Sequence, residues 1–90
     1  MKSKKRDRLE IIYDMLYLLR SHSTLGPTKL LRMSNLSSEM FKSYVEELLD
    51  KGFIDEDDTS HKKLYVITTS GNTFLEKFKE VKNFLDGFGL

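Results

Sequence analysis

The sequence predicts an α+β fold that is mainly helical, with four helices and one two-stranded hairpin. Apolar residues recur at helical spacing in four separate segments. One stretch, residues 53–68, is instead rich in β-branched and aromatic residues around a polar centre, as expected of two short strands and their turn. Because the chain has 90 residues, these elements must share one modest core.

The first helix is predicted to begin at Leu9. Its main apolar stripe follows helical spacing and consists of Leu9, Ile12, Tyr13, Leu16 and Leu19. A second stripe beside it consists of Ile11, Met15 and Leu18, so this helix is apolar over more of its circumference than packing against one side requires. We therefore expect it to contact two surfaces, the second of them on another copy of the chain.

A short second helix is predicted over residues 27–33. It begins at Pro27, which suits the first position of a helix because its missing N–H would have had no partner there. Leu30 and Leu31 face the core, whereas Lys29 and Arg32 remain on the outside.

The third helix is predicted over residues 38–51, after a tight turn. Asn35 tolerates a left-handed backbone in that turn, and the Ser37 hydroxyl can cap the helix by accepting a hydrogen bond from a free N–H. One face of the helix is apolar and consists of Phe41, Tyr44, Val45, Leu48 and Leu49. Gly52 ends the helix at a position where a left-handed cap costs little.

The C-terminal segment is predicted as a fourth helix, capped near Thr69 or Ser70. Its apolar residues have the spacing of the a and d positions of a coiled coil and are Phe74, Phe78, Val81, Leu85 and Phe88. Such a stripe serves either an internal core or a partner helix. Because the rest of the domain is nearly complete before this helix begins, we expect a homodimer that pairs through it.

The net charge of +1 conceals an uneven distribution. The first eight residues have a net charge of +4, and their basic residues are Lys2, Lys4, Lys5, Arg6 and Arg8. We interpret them as a basic arm, which serves either as a solvated tail or as a phosphate contact. Residues 46–58 hold seven acidic residues against Lys51, a net charge of −6, so a polyanion must approach elsewhere.

Several classes of function are excluded by composition and motif. The chain has no cysteine, which removes disulfides, thiolate zinc sites and cysteine nucleophiles. His22 and His61 lie in different segments without metal-ligand spacing, and "DEDDTSH" lacks the glycine and terminal glutamate of a calcium-binding loop. No Gly-rich phosphate loop occurs. We therefore expect no enzymatic activity, metal, cofactor or small-molecule ligand.

The chain is also expected to be cytoplasmic and to have no membrane contact. No apolar run approaches the length of a membrane span, and the charged N-terminus lacks the apolar core of a signal peptide.

Three helices, a two-stranded hairpin and a trailing helix are the order of a winged helix-turn-helix domain. The segments "NLSSEMFKSYVEELLDKGFI" and "YVITTSGNTFLEKF" resemble the archaeal winged-helix regulator family, in which a Tyr-x-Ile-Thr-x-x-Gly segment joins the second strand of the wing to the last helix. The resemblance covers about residues 5–85 and extends to proteins of archaeal viruses. It implies a small DNA-binding protein, usually a homodimer through the C-terminal helix, that acts as a transcription regulator or chromatin-associated protein.

The resemblance also implies a division of the chain. Residues 1–8 form the basic arm, residues 9–70 the winged-helix domain and residues 71–90 the dimerisation helix. The third helix becomes the recognition helix, and residues 57–63 become the wing.

The expected DNA contacts are of two kinds. A recognition helix enters the major groove by its first turns, so the base-reading residues are expected to be Ser38, Glu39, Lys42 and Ser43. Glu39 either accepts a hydrogen bond from a cytosine amino group or only favours the positive end of its own helix. The phosphate-contacting residues are expected to be Lys29, Arg32, His61, Lys62, Lys63, Lys4, Lys5, Arg6 and Arg8.

An alternative function is a protein-interaction module that keeps the winged-helix scaffold without binding DNA. Acidic residues on the outer face of the third helix, Glu39, Glu46 and Asp50, favour this alternative. The basic residues of the wing, the second helix and the arm favour DNA. The two functions differ in the salt dependence of binding to random-sequence duplex DNA, because phosphate-driven binding weakens steeply as salt rises.

Overall fold

The computed structural model describes residues 6–59 and 61–90. Its elements are α1 (Arg8–His22), α2 (Pro27–Ser34), α3 (Ser38–Asp50), β1 (Ile54–Asp57), β2 (Leu64–Ile67) and α4 (Thr69–Asp86). The two strands pair in antiparallel register, with Ile54 opposite Ile67 and Asp57 opposite Leu64. The prediction of a mainly helical α+β fold with one hairpin is confirmed.

The helix boundaries depend on the residues that the sequence singled out. Asn35 is left-handed, with φ 58° and ψ 45°, and ends α2. The Ser37 hydroxyl accepts a hydrogen bond of 3.2 Å from the Met40 N–H and so caps α3. Gly52 follows the C-terminal turn of α3 and has a φ of 75°, a backbone angle at which a residue with a side chain would be strained.

The helix α1 lies at the centre of the fold and contacts α2, α4 and β2. This arrangement overturns part of the dimer prediction. Ile11 and Met15, which were expected to face a partner, are only 5% and 0% exposed. Leu18 is half-buried and packs against the same core. The second apolar stripe of α1 is therefore covered by this chain's own elements rather than by another copy.

A short junction ties the start of α4 to the end of α3. The Thr68 hydroxyl donates to the Gly52 carbonyl at 2.6 Å and accepts from the Gly71 N–H at 3.1 Å. The Thr68 N–H donates to the Phe53 carbonyl at 3.0 Å. A Cβ atom on Gly71 would lie 2.2 Å from that same carbonyl oxygen, so only glycine fits. These contacts explain the Thr-x-x-Gly part of the sequence motif. They also place the cap of α4 at Thr68, next to the predicted positions Thr69 and Ser70.

The first half of α4 packs on α1. Leu75 is fully buried, and the ring of Phe78 lies 5.4 Å from the ring of Tyr13, measured between centroids. Arg20 of α1 also forms an ion pair with Glu76, and the hydrogen bond from its guanidinium holds the pKa of that carboxyl below its ordinary value. This half of the helix is therefore part of the domain core.

Candidate nucleic-acid interface

The first two turns of α3 present the predicted base-reading side chains to solvent. All four are exposed, namely Ser38, Glu39, Lys42 and Ser43. The cap at Ser37 fixes the backbone from which they project. Phe41 and Val45 anchor the opposite side of the helix in the core. The outer face is thus free to approach a ligand without any change in packing.

The predicted phosphate-contacting residues of α2 and of the hairpin are exposed as well. On α2 these are Lys29 and Arg32, and in the hairpin they are His61, Lys62 and Lys63. His61 has a φ of 66°, so the hairpin turns at a left-handed residue that is not glycine. The structure therefore leaves the predicted cations of both elements accessible to a polyanion.

A groove of about 260 Å³ separates α3 from the hairpin. Lys42 of α3 and Lys63 of the hairpin both line it. The groove is also lined by the apolar residues Phe41, Val45, Leu49 and Tyr65 and by the acidic residues Glu46 and Glu56. The Lys63 ammonium lies 3.8 Å from the Glu56 carboxylate. One predicted base-reading residue and one predicted phosphate-contacting residue thus share a single surface.

Part of the acid on α3 has a structural use. Glu47 receives the guanidinium of Arg8 through both of its carboxylate oxygens, one contact being 2.9 Å between Nη1 and Oε1. Lys51 lies 3.9 Å from the same carboxylate. This pairing joins α3 to the start of α1. Glu39, Glu46 and Asp50 remain exposed.

The basic arm is shorter than predicted. Asp7 caps α1, because its carboxylate accepts from the Glu10 N–H at 2.8 Å and the Glu10 carboxylate accepts from the Asp7 N–H at 3.1 Å. The helix therefore begins at Arg8, whose side chain binds Glu47. The prediction that Arg8 lies in a free arm is wrong, because the capping box extends α1 by one residue into the arm.

Arg6 is also bound within the chain. Its guanidinium donates to the Asp14 carboxylate at 2.8 Å and to the Ser34 carbonyl at 2.8 Å, so it joins α1 to the end of α2. Arg6 is therefore not a free side chain of the arm, and its phosphate contact stays a prediction. Lys4 and Lys5 lie outside the described residues.

The acidic end of β1 shapes the hairpin. The Asp57 carboxylate accepts from the Thr59 N–H at 3.0 Å and from the Thr59 hydroxyl at 2.7 Å. Both hydrogen bonds, the backbone one above all, hold the pKa of Asp57 below its ordinary value. The Asp58 carbonyl accepts from the His61 N–H at 3.3 Å. The hydrogen bonds of Asp57 and Asp58 therefore define the turn that carries Lys62 and Lys63.

A family model described as winged helix-turn-helix matches residues 5–86 of the sequence. The chain belongs to the winged helix-turn-helix family. The loop between β1 and β2 is accordingly the wing, and α2 and α3 are the helix-turn-helix. No protein with a curated function matches the sequence.

Solved structures support the winged-helix assignment. Sso10a-2 of Sulfolobus solfataricus, described as a DNA-binding protein, is 21% identical over 93% of this chain and 90% of its own, with a TM-score of 0.72. BpsR of Bordetella bronchiseptica is 13% identical over 86% of this chain and 57% of its own, with a TM-score of 0.74. A MarR mutant of E. coli complexed with operator DNA is 17% identical over 73% and 49%, with a TM-score of 0.63. The chain thus spans about half of the BpsR and MarR chains.

The winged-helix chain carries an apolar surface at the end of α4, which we name the α4 patch and which consists of Val81, Phe84, Leu85, Phe88 and Leu90. Phe84 and Phe88 are 65% and 69% exposed, with ring centroids 5.1 Å apart. The coiled-coil spacing found Val81, Leu85 and Phe88. It missed Phe84 because the register was counted from Phe74.

Phe74 and Phe78 do not belong to the α4 patch. Phe74 is half-buried, and its ring is tilted against that of Phe53 with centroids 5.2 Å apart. Phe78 stacks on Phe74 and also contacts Tyr13. The structure therefore corrects the predicted interface, because these two rings already contact their own chain. The exposed part of the stripe begins at Val81.

Two further observations concern the described residues, 6–59 and 61–90. Within them, no three histidine, cysteine, aspartate or glutamate side chains are grouped so that they could hold a metal ion. None of the helices in this part of the chain has the length and apolar character needed to cross a membrane.

Proposed function

We propose that this chain binds double-stranded DNA as a homodimer and acts as a transcription regulator or chromatin-associated protein. The observation that carries the proposal is the groove between α3 and the wing, where Lys42 and Lys63 line one exposed surface. Membership of the winged helix-turn-helix family supports it, as does the likeness to Sso10a-2 over nearly the whole chain. We also propose an archaeal or archaeal-virus origin and a cytoplasmic location; Sso10a-2 itself comes from Sulfolobus solfataricus.

The distribution of charge supports approach through the helix-turn-helix and wing. Lys29 and Arg32 of α2 and Lys62 of the wing are exposed and can neutralise phosphates on either side of the groove that α3 enters. The Glu47 carboxylate is held by Arg8, so it adds less repulsion than its position on α3 suggests. The exposed carboxylates of Glu46 and Asp50 lie on later turns of α3 than the base-reading residues.

The proposal is tested by titrating the protein against mixed-sequence duplex DNA at about 50 and about 200 mM salt, with the mass recorded in the same buffers. If three cations per protomer reach phosphates, a dimer makes about six contacts and its affinity falls about a thousand-fold between these conditions. A stable dimer that does not bind at the lower salt would instead favour the protein-interaction function, which the exposed Glu39, Glu46 and Asp50 support.

The wing contact has its own prediction. Replacing Lys62 and Lys63 together by alanine is expected to weaken binding to all duplex sequences by similar factors and to reduce the steepness of the salt dependence. A matched control replaces Lys77 and Lys79 of α4, which removes the same charge from a surface distant in sequence from the wing. Equal affinities of the two double variants would argue against a wing contact.

The base-reading residues are predicted to affect sequence preference instead. Replacing Lys42 and Ser43 by alanine is expected to change which duplexes are selected from a random pool while binding to mixed-sequence DNA persists. The readout is the sequence composition of the selected pool for the variant and the unaltered protein. Identical pools would remove these residues from the reading surface.

The α4 patch supports the homodimer. The end of this helix exposes two phenylalanines, whose rings contact each other, and three aliphatic residues, and exposed apolar surface of this kind marks an interaction site. The same residue set on a second copy would cover it, because a two-fold interface uses one patch twice. We therefore propose an interface through Val81, Phe84, Leu85, Phe88 and Leu90.

A further inference from the structure

One apolar side chain interrupts the polar surface at the start of α3. Met40 is 44% exposed, although it lies in the first turn of a helix whose other exposed side chains between residues 38 and 43 are polar. It is not among the half-buried residues that pack against the core. Its backbone is fixed, because the Met40 N–H donates to the capping Ser37 hydroxyl. The starting point of this side chain is therefore as well defined as those of its polar neighbours.

The position of Met40 on the helix places it beside the predicted base-reading residues. Side chains three residues apart are neighbours on a helix surface, so Met40 borders Ser43. Ser43 and Glu39 are exposed on the face that enters a DNA groove if the proposed function is correct. Methionine is flexible and polarisable, which lets it adapt to an apolar group of irregular position.

We propose that Met40 is a specificity-determining residue that contacts the 5-methyl group of thymine in the major groove. This inference rests on the proposed DNA-binding function and adds the base that the helix selects. In the major groove thymine presents a methyl group that cytosine lacks, and apolar side chains recognise it by contact. The exposed hydroxyl, carboxylate and ammonium groups of the same two turns cannot provide that contact, since their partners are hydrogen-bonding groups.

The chain offers a matched control. Met33 is 39% exposed, similar to Met40, but it lies on α2, the helix that crosses the DNA backbone in a helix-turn-helix. The two methionines therefore differ in their helix and not in their chemistry or exposure. If exposed methionine merely adds apolar contact of any kind, replacing either one has the same effect.

The test uses a preferred duplex selected from random-sequence DNA and made in two versions, with thymine or with deoxyuridine, which lacks only the methyl group. The unaltered protein is expected to bind the deoxyuridine version about four-fold more weakly for each methyl contact that is lost. Met40→Ala is expected to bind both versions equally and about as weakly as the unaltered protein binds deoxyuridine. Met33→Ala is expected to prefer the thymine duplex over the deoxyuridine duplex by the same factor as the unaltered protein.

Two conservative variants sharpen the result. Met40→Leu retains an apolar side chain and should keep the discrimination, whereas Met40→Gln has a similar length and should lose it. Equal binding of both duplexes by the unaltered protein would overturn the inference while leaving the proposed function intact, and so would undiminished discrimination by Met40→Ala. Failure of the unaltered protein to bind any duplex would remove the proposed function itself and this inference with it.

Discussion

Gly71→Ala is expected to lower the free energy of unfolding by about 3 kcal/mol, because the added methyl group has no space. A Cβ atom there would lie 2.2 Å from the Phe53 carbonyl oxygen and 2.7 Å from a side-chain carbon of Ile67. The first obstacle is backbone and cannot rotate away. Relief requires α4 to move off the end of α3, which breaks the hydrogen bonds of Thr68.

The measurement is urea-induced unfolding of both proteins, and Gly87→Ala provides the control. Gly87 lies at the other end of α4 with a right-handed helical backbone, and an added Cβ would have its nearest neighbour at 3.4 Å. Its replacement is expected to change the free energy of unfolding by less than about 1 kcal/mol. Similar values for the two variants would show that the approach of α4 to Phe53 is not tight in solution.

Replacing Phe84 and Phe88 together by aspartate is expected to weaken the proposed dimer by at least about a thousand-fold. Burying one phenylalanine side chain contributes about 1.5–3 kcal/mol, and each change is present twice in a two-fold interface. Because both rings are mostly exposed in the single chain, the protomer should keep its fold. Phe78 is a poorer choice, since aspartate there would also disrupt its contact with Tyr13.

Sedimentation measures the mass of this double variant, and circular dichroism checks its helices. Met33→Asp is a suitable control, because it introduces charge at an exposed apolar residue outside the α4 patch and should leave the mass unchanged. A monomeric mass of the unaltered protein at micromolar concentration would contradict the homodimer proposal directly.

The order of elements could be predicted because local chemistry marks each boundary. Pro27, Asn35, Ser37 and Gly52 begin or end helices through their own backbone and hydroxyl properties, which do not depend on distant contacts. The structure gives each of them the predicted role. The exposure of the predicted cations followed equally well, because Lys29 and Arg32 lie opposite the apolar residues of α2 and the wing cations lie in a polar turn.

One failure was local, because the capping box of Asp7 and Glu10 starts α1 one residue earlier than predicted. The other failures depended on contacts distant in sequence. No local pattern indicates that Arg8 binds Glu47, 39 residues away, or that Arg6 reaches the carbonyl of Ser34. The apolar stripe of α1 likewise shows that Ile11 and Met15 are buried without showing by what. A stripe at helical spacing has the same form whether a partner copy or the chain's own helices cover it.

The junction at Thr68 has a consequence for the spacing of the two DNA half-sites that a dimer could bind. It is the single residue between β2 and α4, and three hydrogen bonds hold it to Gly52, Phe53 and Gly71. In a dimer paired through α4, the wing and α4 would therefore move as one rigid body, without a hinge between them. The two recognition helices of the dimer would therefore keep a fixed separation and orientation. One base pair inserted between the two half-sites rotates one half-site relative to the other by about 35°. A dimer of fixed geometry cannot follow this rotation, so it could not contact both half-sites.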